Sequence, residues 1–185
     1  MHLYLKRHSY GNAETHNLWS ALEECSDKKV ADLMSTWTKQ TGFPIVTVSS
    51  EQVGNDRRLH LAQMRFFSNG SEGDDTLWQI PLSMSTSASP NKAVHSYLMK
   101  DRTAEVTIKN VAPGDWVKLN VGTVGYYRVE YSPEMLAQFA PAIREKSLAP
   151  LDRLGLLDDL FARVRLCYIS LSVTPTEIHH YLHSN

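Results

Sequence analysis

The sequence predicts an α+β fold in which two short helices come first, a central antiparallel β-sandwich follows, and a helical region comes last. Apolar residues recur at helical spacing over residues 15–41, alternate at period two over 43–131, and return to helical spacing from residue 132. The chain has 185 residues and 42% hydrophobic content, which is enough for one good core or two small ones. We therefore expect three regions with bounds 1–42, 43–131 and 132–185.

The first region is predicted to hold two helices. Four residues share a face of the first helix and four share a face of the second: Leu18, Trp19, Leu22 and Cys25, then Val30, Leu33, Met34 and Trp37. Ser26 or Asp27 is the expected N-cap of the second helix, which should end near Gln40. Gly42 permits the backbone turn at that end, and Pro44 prevents the helix from continuing, so a strand is expected by about residue 45.

The middle region reads as short strands separated by turns. Seven segments alternate or are rich in β-forming residues: PIVTVS, RRLHLAQMRF, LWQIPLSMS, HSYLM, AEVTIKN, WVKLN and YYRVEY. Turn and loop signals such as GND, SNGSEGDD, SASPN and APGD separate them. This pattern is typical of a β-sandwich.

The last region is predicted to be helical. Ser132 is the expected N-cap of a helix with Pro133 at its first position. The next helix should place five apolar residues on one side: Leu154, Leu157, Leu160, Phe161 and Val164. A final helix is expected to begin at Thr174, with Pro175 at its first position and Glu177 closing a capping box.

Charge and cysteine content exclude several classes of partner. Lys+Arg 19 against Asp+Glu 20 gives a net charge of -1, so no basic field is present to hold nucleic acid. No apolar run approaches the ~20 residues that cross a bilayer, and no export signal opens the chain, so no membrane partner is predicted. The two cysteines, Cys25 and Cys167, fit no metal spacing and suit a reducing compartment, which predicts a cytoplasmic location.

His179 and His183 are the strongest candidates for a metal site. They lie one helical turn apart in HHYLH, which resembles the His-Glu-x-x-His metalloprotease signature. His180 stands where that signature has its general-base glutamate, and no third ligand is evident. A structural role for this segment is therefore favoured, and no metal ligand is predicted.

Other candidates also have structural explanations. Gly122 and Gly125 lack the surrounding residues of a phosphate loop and indicate a bulge or a close approach between strands. Asp158 and Asp159 point about 100 degrees apart on a helix, which favours solvated or capping charges over a carboxylate dyad. No serine lies in a nucleophile-elbow context. The sequence therefore predicts no catalytic residue, and its substrate-binding residues are unknown.

Four segments nevertheless resemble one enzyme family, the zinc aminopeptidases of the aminopeptidase N and puromycin-sensitive type, with the puromycin-sensitive branch closest. WTKQTGFPIVTV resembles the passage from the family's catalytic domain into its β-sandwich, and WVKLNVGTVGYYRVEYS is similar to the closing strands of that sandwich. SLAPLDRLGLLDDLFA is similar to the first helices of the family's C-terminal helical domain, and ETHNLWSALEE fits its entry helices. The resemblance covers nearly the whole chain.

The resemblance implies what each region would be. Residues 1–42 would be the helical tail of a thermolysin-like catalytic domain, 43–131 the β-sandwich, and 132–185 the beginning of the helical C-terminal domain. The family binds zinc and acts on peptides. Its zinc ligands, general-base glutamate, substrate loop and transition-state tyrosine belong to sequence upstream of this chain, so we expect a fragment without cofactor or activity.

Two functional hypotheses stay open at this point. In the first, the chain is the non-catalytic portion of a zinc-dependent aminopeptidase, and the sandwich is a structural spacer. In the second, it is a truncated aminopeptidase-like protein that acts as a binding or regulatory module, through self-association or contact with a full-length aminopeptidase. A mass measurement of the natural product would separate the two.

Overall fold

A computed structural model describes residues 1–68 and 74–165, which form an α+β structure. The chain divides into two compact units, residues 1–41 and residues from 42 onward. The first unit holds α1 (His2–Arg7), α2 (Thr15–Ser26) and α3 (Val30–Thr38). The described part of the second holds β1 (Pro44–Val53), β2 (Asp56–Arg65), β3 (Ile80–Thr86), β4 (His95–Met99), β5 (Thr103–Ile108), β6 (Val117–Leu119), a 3₁₀ turn (Val121–Thr123), β7 (Arg128–Tyr131), α4 (Pro133–Arg144) and α5 (Pro150–Arg165).

The start of α3 differs from its prediction. Ser26 is the last residue of α2, and Asp27 is the left-handed residue that ends it, with φ 52°, so neither caps α3. The backbone N–H of Ala31 instead donates to the Glu23 carboxylate at 2.9 Å. An acceptor on the preceding helix thus satisfies an amide that a local cap would otherwise bind. The prediction was wrong because such a partner has no local signature.

The switch from helix to strand is where the sequence predicted it. Helix α3 ends at Thr38 and β1 begins at Pro44. Gly42 lies between them at φ 91°, a left-handed conformation that favours glycine. The predicted apolar faces of α2 and α3 are half-buried except for Cys25, which is exposed, and Ala21 is the unit's one fully buried hydrophobic residue.

Seven strands within the described residues form two sheets, with orders β5-β2-β1-β7 and β4-β3-β6. All the pairings are antiparallel except that of β1 with β7, which is parallel and places Val46 opposite Val129. The prediction of a purely antiparallel sandwich was therefore wrong at this edge. Because the chain visits the second sheet before β7, the long crossover allows it to return in the direction of β1.

Side chains from both sheets form the core of the second unit. Its largest fully buried apolar residues include Leu59, Trp78, Ile80, Leu82, Met84, Met99 and Leu119. Gln63 on β2 joins the four-stranded sheet to the segment that leads into β3, since its amide donates to the Trp78 carbonyl and accepts from the Trp78 N–H, both at 2.9 Å. The Tyr131 hydroxyl on β7 accepts from the Leu119 N–H at 2.9 Å.

Helix α4 begins as the sequence predicted. The Ser132 side chain accepts from the Met135 N–H, and Pro133 is the first helical residue. The helix buries Met135, Phe139, Ala142 and Ile143. The Phe139 ring centroid lies 5.1 Å from that of Tyr131 in an edge-on contact, so α4 extends the core of the sheets.

Helix α5 buries only part of the predicted face. Leu157 and Leu160 are half-buried, but Leu154 and Phe161 are 60% and 45% exposed, whereas Leu156, which the prediction did not include, is buried. Asp152 is buried beside it. The predicted contribution of Val164 and the helix expected from Thr174 lie outside the side chains that the structure describes.

Candidate functional site

The described residues hold no group of three or more His, Cys, Asp or Glu side chains placed to bind one metal ion. His179 and His183 fall outside residues 1–68 and 74–165. The described side chains therefore do not fit a zinc centre. Among the same residues, no helix has both the length and the apolar character needed to cross a bilayer.

The outer face of the four-stranded sheet carries an open groove of about 790 Å³. Small side chains on adjacent strands form its floor, including Thr47, Ser49, Ala62 and Thr103. His60, Glu105 and Glu130 border it. The groove exists because short residues meet in register at the centre of a sheet whose neighbouring positions carry longer ones.

His60 is the chemically most versatile side chain in this groove. Its Nδ1 lies 3.2 Å from a Glu105 carboxylate oxygen, and its Nε2 lies 3.5 Å from one of Glu51. The register places Ser49 opposite His60, but the second ring nitrogen faces Glu51, and all these side chains are substantially exposed. Nucleophilic catalysis needs a serine aligned with the base and an arranged oxyanion hole, so this row does not make a catalytic triad.

The most deeply buried ion pair among the described residues belongs to a polar cluster that joins the sheets to α5. At its centre, Lys118 Nζ on β6 lies 2.8 Å from Asp152 Oδ1, with side chains 3% and 1% exposed. The ammonium also donates to the carbonyls of Leu119 and Asn120 at 2.9 and 3.0 Å. Burial lowers the pKa of Lys118 despite the attraction of Asp152. Because its three donors are satisfied, the buried lysine fixes the carboxylate and hence the first turn of α5.

The 3₁₀ turn between β6 and β7 packs against that same helical turn. The Gly122 N–H donates to Asp152 Oδ1 at 2.8 Å, and the Thr123 hydroxyl donates to the Leu151 carbonyl at 3.0 Å. A Cβ at Gly155 would lie 2.5 Å from Thr123 Oγ1. Glycine is therefore required on α5 for the turn to approach this closely.

Gly122 and Gly125 were predicted to mark a bulge or a close approach between strands. Gly122 belongs to the 3₁₀ turn with φ 68°, so the bulge was wrong. Gly125 does mark a close approach, but to the Tyr127 ring: a Cβ there would lie 2.3 Å from Tyr127 Cε1. Both glycines serve the turn rather than a strand pair.

A second ion pair lies further along α5. Arg128 Nη1 on β7 donates to Asp158 Oδ2 at 2.7 Å and to Asp159 Oδ1 at 3.2 Å. The Val129 N–H donates to Asp159 Oδ2 at 3.0 Å. Burial raises the pKa of Asp159 to about 6, because the loss of hydration outweighs the attraction of Arg128. Asp158 is 66% exposed, as predicted, but the prediction of a solvated or capping charge was wrong for Asp159.

Glu130 on β7 forms a third ion pair with Arg163, which lies one helical turn beyond Asp159 on α5. Burial raises the pKa of Glu130, whereas Arg163 lowers it by a smaller effect. The three pairs thus run along one side of α5, and their function is to hold the helix. Sequence analysis missed them because it counted only apolar periodicity, although the spacing of Asp152, Asp159 and Arg163 was a usable signal.

Comparison with known proteins adds an independent observation. The model of the ERAP1-like C-terminal domain matches residues 116–184. The chain is 46% identical over 173 residues to puromycin-sensitive aminopeptidase from Caenorhabditis elegans, covering 93% of this chain and 18% of that protein. It is 38% identical over 168 residues to aminopeptidase M1-B from Oryza sativa subsp. japonica, covering 86% and 18%. It is 38% identical over 160 residues to tricorn protease-interacting factor F2 from Thermoplasma acidophilum, again covering 86% and 18%. The chain thus spans less than a fifth of the length of these curated relatives.

Proposed function

Because the chain belongs to the aminopeptidase family that includes puromycin-sensitive aminopeptidase, we propose that it is the non-catalytic portion of a zinc-dependent aminopeptidase. The whole enzyme would remove N-terminal residues from peptides. The observation that carries this proposal is the 46% identity over 93% of the chain, combined with described residues that offer no cluster of metal ligands.

In this proposal the two sheets act as a structural spacer. Residues 1–42 form the tail of the catalytic domain, 43–131 the β-sandwich, and 132–185 the beginning of the helical C-terminal domain. The bond of Tyr131 between the sheets, the bonds of Gln63 to the segment before β3 and the ion pairs that hold α5 support a spacer, because they join elements through directional bonds. Peptides and zinc belong to the whole enzyme, and the free cysteine Cys25 agrees with a cytoplasmic location.

An aminopeptidase assay on the isolated chain tests the catalytic half of this proposal. We expect no hydrolysis of a chromogenic alanine or leucine amide after zinc is added, because activation of a zinc-bound water needs ligands and a general base. Material purified identically from cells without the chain is the control for contaminating peptidases. Turnover that copurifies with the chain and survives His179→Ala and His183→Ala would place the chemistry within this chain and contradict the proposal.

A further inference from the structure

Helix α5 faces the sheets with charged side chains and leaves large apolar ones exposed. Among its described side chains, Leu156 is the one buried hydrophobic residue, whereas Leu151, Leu154 and Phe161 are exposed. Helix α4 shows the usual arrangement, with four buried apolar residues. Leu157 and Leu160 are half-buried, so apolar burial contributes less to holding α5 than to holding α4, and polar contacts supply part of its attachment.

The inward face of α5 follows one repeating spacing. Asp152, Leu156, Asp159 and Arg163 lie at i, i+4, i+7 and i+11, which places them along a single side of the helix. The partners of the three charged residues are Lys118, Arg128 and Glu130. The order negative, negative, positive on α5 therefore meets positive, positive, negative on the sheets.

This order of charges specifies both the position of α5 along the sheets and the direction in which the helix runs. Sliding α5 by one turn or reversing it would place like charges together or leave the buried Lys118 without its carboxylate. An unpaired buried charge is costly, and like charges in contact repel, so both alternatives are disfavoured. The fit of the Thr123 side chain against Gly155 adds a steric restriction at the same turn.

We propose that these three ion pairs, Lys118–Asp152, Arg128–Asp159 and Glu130–Arg163, form a charge latch that fixes α5 on the sheets and allows it to open as a unit. The sheets and α4 retain most of their apolar core when α5 leaves, because Leu156 is the one fully buried apolar side chain in the described part of α5 and Leu157 and Leu160 are only half-buried. Opening α5 therefore exposes less apolar surface than unfolding the sheets and has a lower free energy. The inference concerns this chain alone and does not depend on the proposed function.

Hydrogen exchange on the unaltered full chain is the first test. Over a series of low denaturant concentrations, the amides of residues 154–163 should exchange at least 10-fold faster than those of β1, β2 and β3. The exchange rates of these α5 amides should also depend less on denaturant concentration, since opening α5 exposes a smaller surface than global unfolding does. Exchange of α5 at the same rate and with the same denaturant dependence as the sheets would overturn the proposal, because α5 would then open only with global unfolding.

Charge substitutions at the third pair provide the second test. Arg163→Glu should accelerate exchange of residues 154–162 at least 10-fold and change the rates of β1, β2 and β3 by less than threefold. The swapped variant Glu130→Arg/Arg163→Glu should restore at least half of the lost protection on a logarithmic scale, because the pair is remade in reverse. The matched control is Arg144→Glu, which makes the same charge reversal at an exposed arginine at the end of α4 and should change α5 exchange less than threefold.

The variants also give results that would refute the latch. No acceleration by Arg163→Glu, or an equal acceleration of α5 and the sheets, would show that the pair does not hold α5 separately. Failure of the swapped variant to restore protection would show that the arginine acts through packing and not through its charge. Asp152→Asn, at the buried pair, should exceed Arg163→Glu in its effect on α5, since it leaves the Lys118 ammonium buried beside a neutral partner.

Discussion

Replacing Gln63 by methionine should destabilise the second unit more than its modest change in size suggests. The Gln63 amide bonds the N–H and the carbonyl of Trp78 and also donates to the Asp101 carbonyl at 3.1 Å. Methionine has similar length but no strong donor or acceptor. The Trp78 N–H and carbonyl would then lose the Gln63 amide in a buried setting, because Gln63 and Trp78 are themselves 1% and 0% exposed.

The expected magnitude follows from the two bonds that are lost. Removing the partner of a buried backbone donor or acceptor costs about 1–3 kcal/mol, and Gln63→Met removes one bond from each of the two Trp78 groups. The apolar surface of the methionine returns part of this, so we expect a net loss of about 2–4 kcal/mol. With a urea dependence of about 2 kcal/mol per molar, the unfolding midpoint should fall by roughly 1–2 M.

Urea unfolding followed by tryptophan fluorescence and far-ultraviolet circular dichroism would measure this loss. The matched control is Gln138→Met on α4, where the amide makes a hydrogen bond of 3.3 Å to Arg57 in a part-buried setting. We expect the control to lose less than about 1 kcal/mol. If Gln63→Met lowers the midpoint no more than the control, the hydrogen bonds of Gln63 contribute little to stability and the expected loss is refuted.

Three further predictions concern other parts of the chain. Because the folded-state pKa of Asp159 is raised from 3.8 to about 6, its contribution to stability is fully present below pH 3.8 and is lost as the pH rises through 6. The urea midpoint of Asp159→Asn should therefore fall less than that of the unaltered chain between pH 4 and pH 7.5, and an equal fall would contradict this. Gly125→Ala should cost about 1–3 kcal/mol by forcing Cβ against Tyr127, whereas Gly11→Ala, with no atom within 4 Å of its Cβ, should be neutral in the same unfolding assay. Residues 15–38 should exchange hydrogen faster than β1 and β2 in a monomeric sample, or else be protected by self-association visible in sizing chromatography; slow exchange in a strict monomer would defeat this expectation.

The strands were predictable because their signals are local. Alternation in PIVTVS and RRLHLAQMRF and the intervening GND fix a hairpin in which Val53 pairs with Asp56. Ser132 and Pro133 likewise carry their capping role in their own chemistry. What failed depends on distant partners: the parallel edge depends on the path through the second sheet, and the cap of α3 depends on a carboxylate eight residues earlier.

Gln63 shows how a polar residue in a strand can be part of the core. Its position alternates correctly with Leu59 and Leu61, so periodicity places it inward, but the backbone groups of Trp78 and Asp101, in loops that the strand pattern does not locate, make that position satisfiable. A sequence supplies the direction of the side chain without supplying its partner. The hydrogen bonds of Gln63 were therefore beyond prediction even though its own strand was found.

The misjudged face of α5 follows from the same dependence on partners. The helix carries two candidate stripes, an apolar one through Leu154 and Phe161 and a charged one through Asp152 and Asp159, and periodicity alone favours burying the first. The surface that receives the helix decides otherwise, because it presents Lys118, an ammonium that is buried and needs a carboxylate. Burying the apolar stripe against that surface would leave the lysine unpaired at a cost greater than two leucine-sized contacts can offset. The orientation of α5 is thus selected by the charge on the sheets, and a helix with two such stripes is predictable only together with its receiving surface.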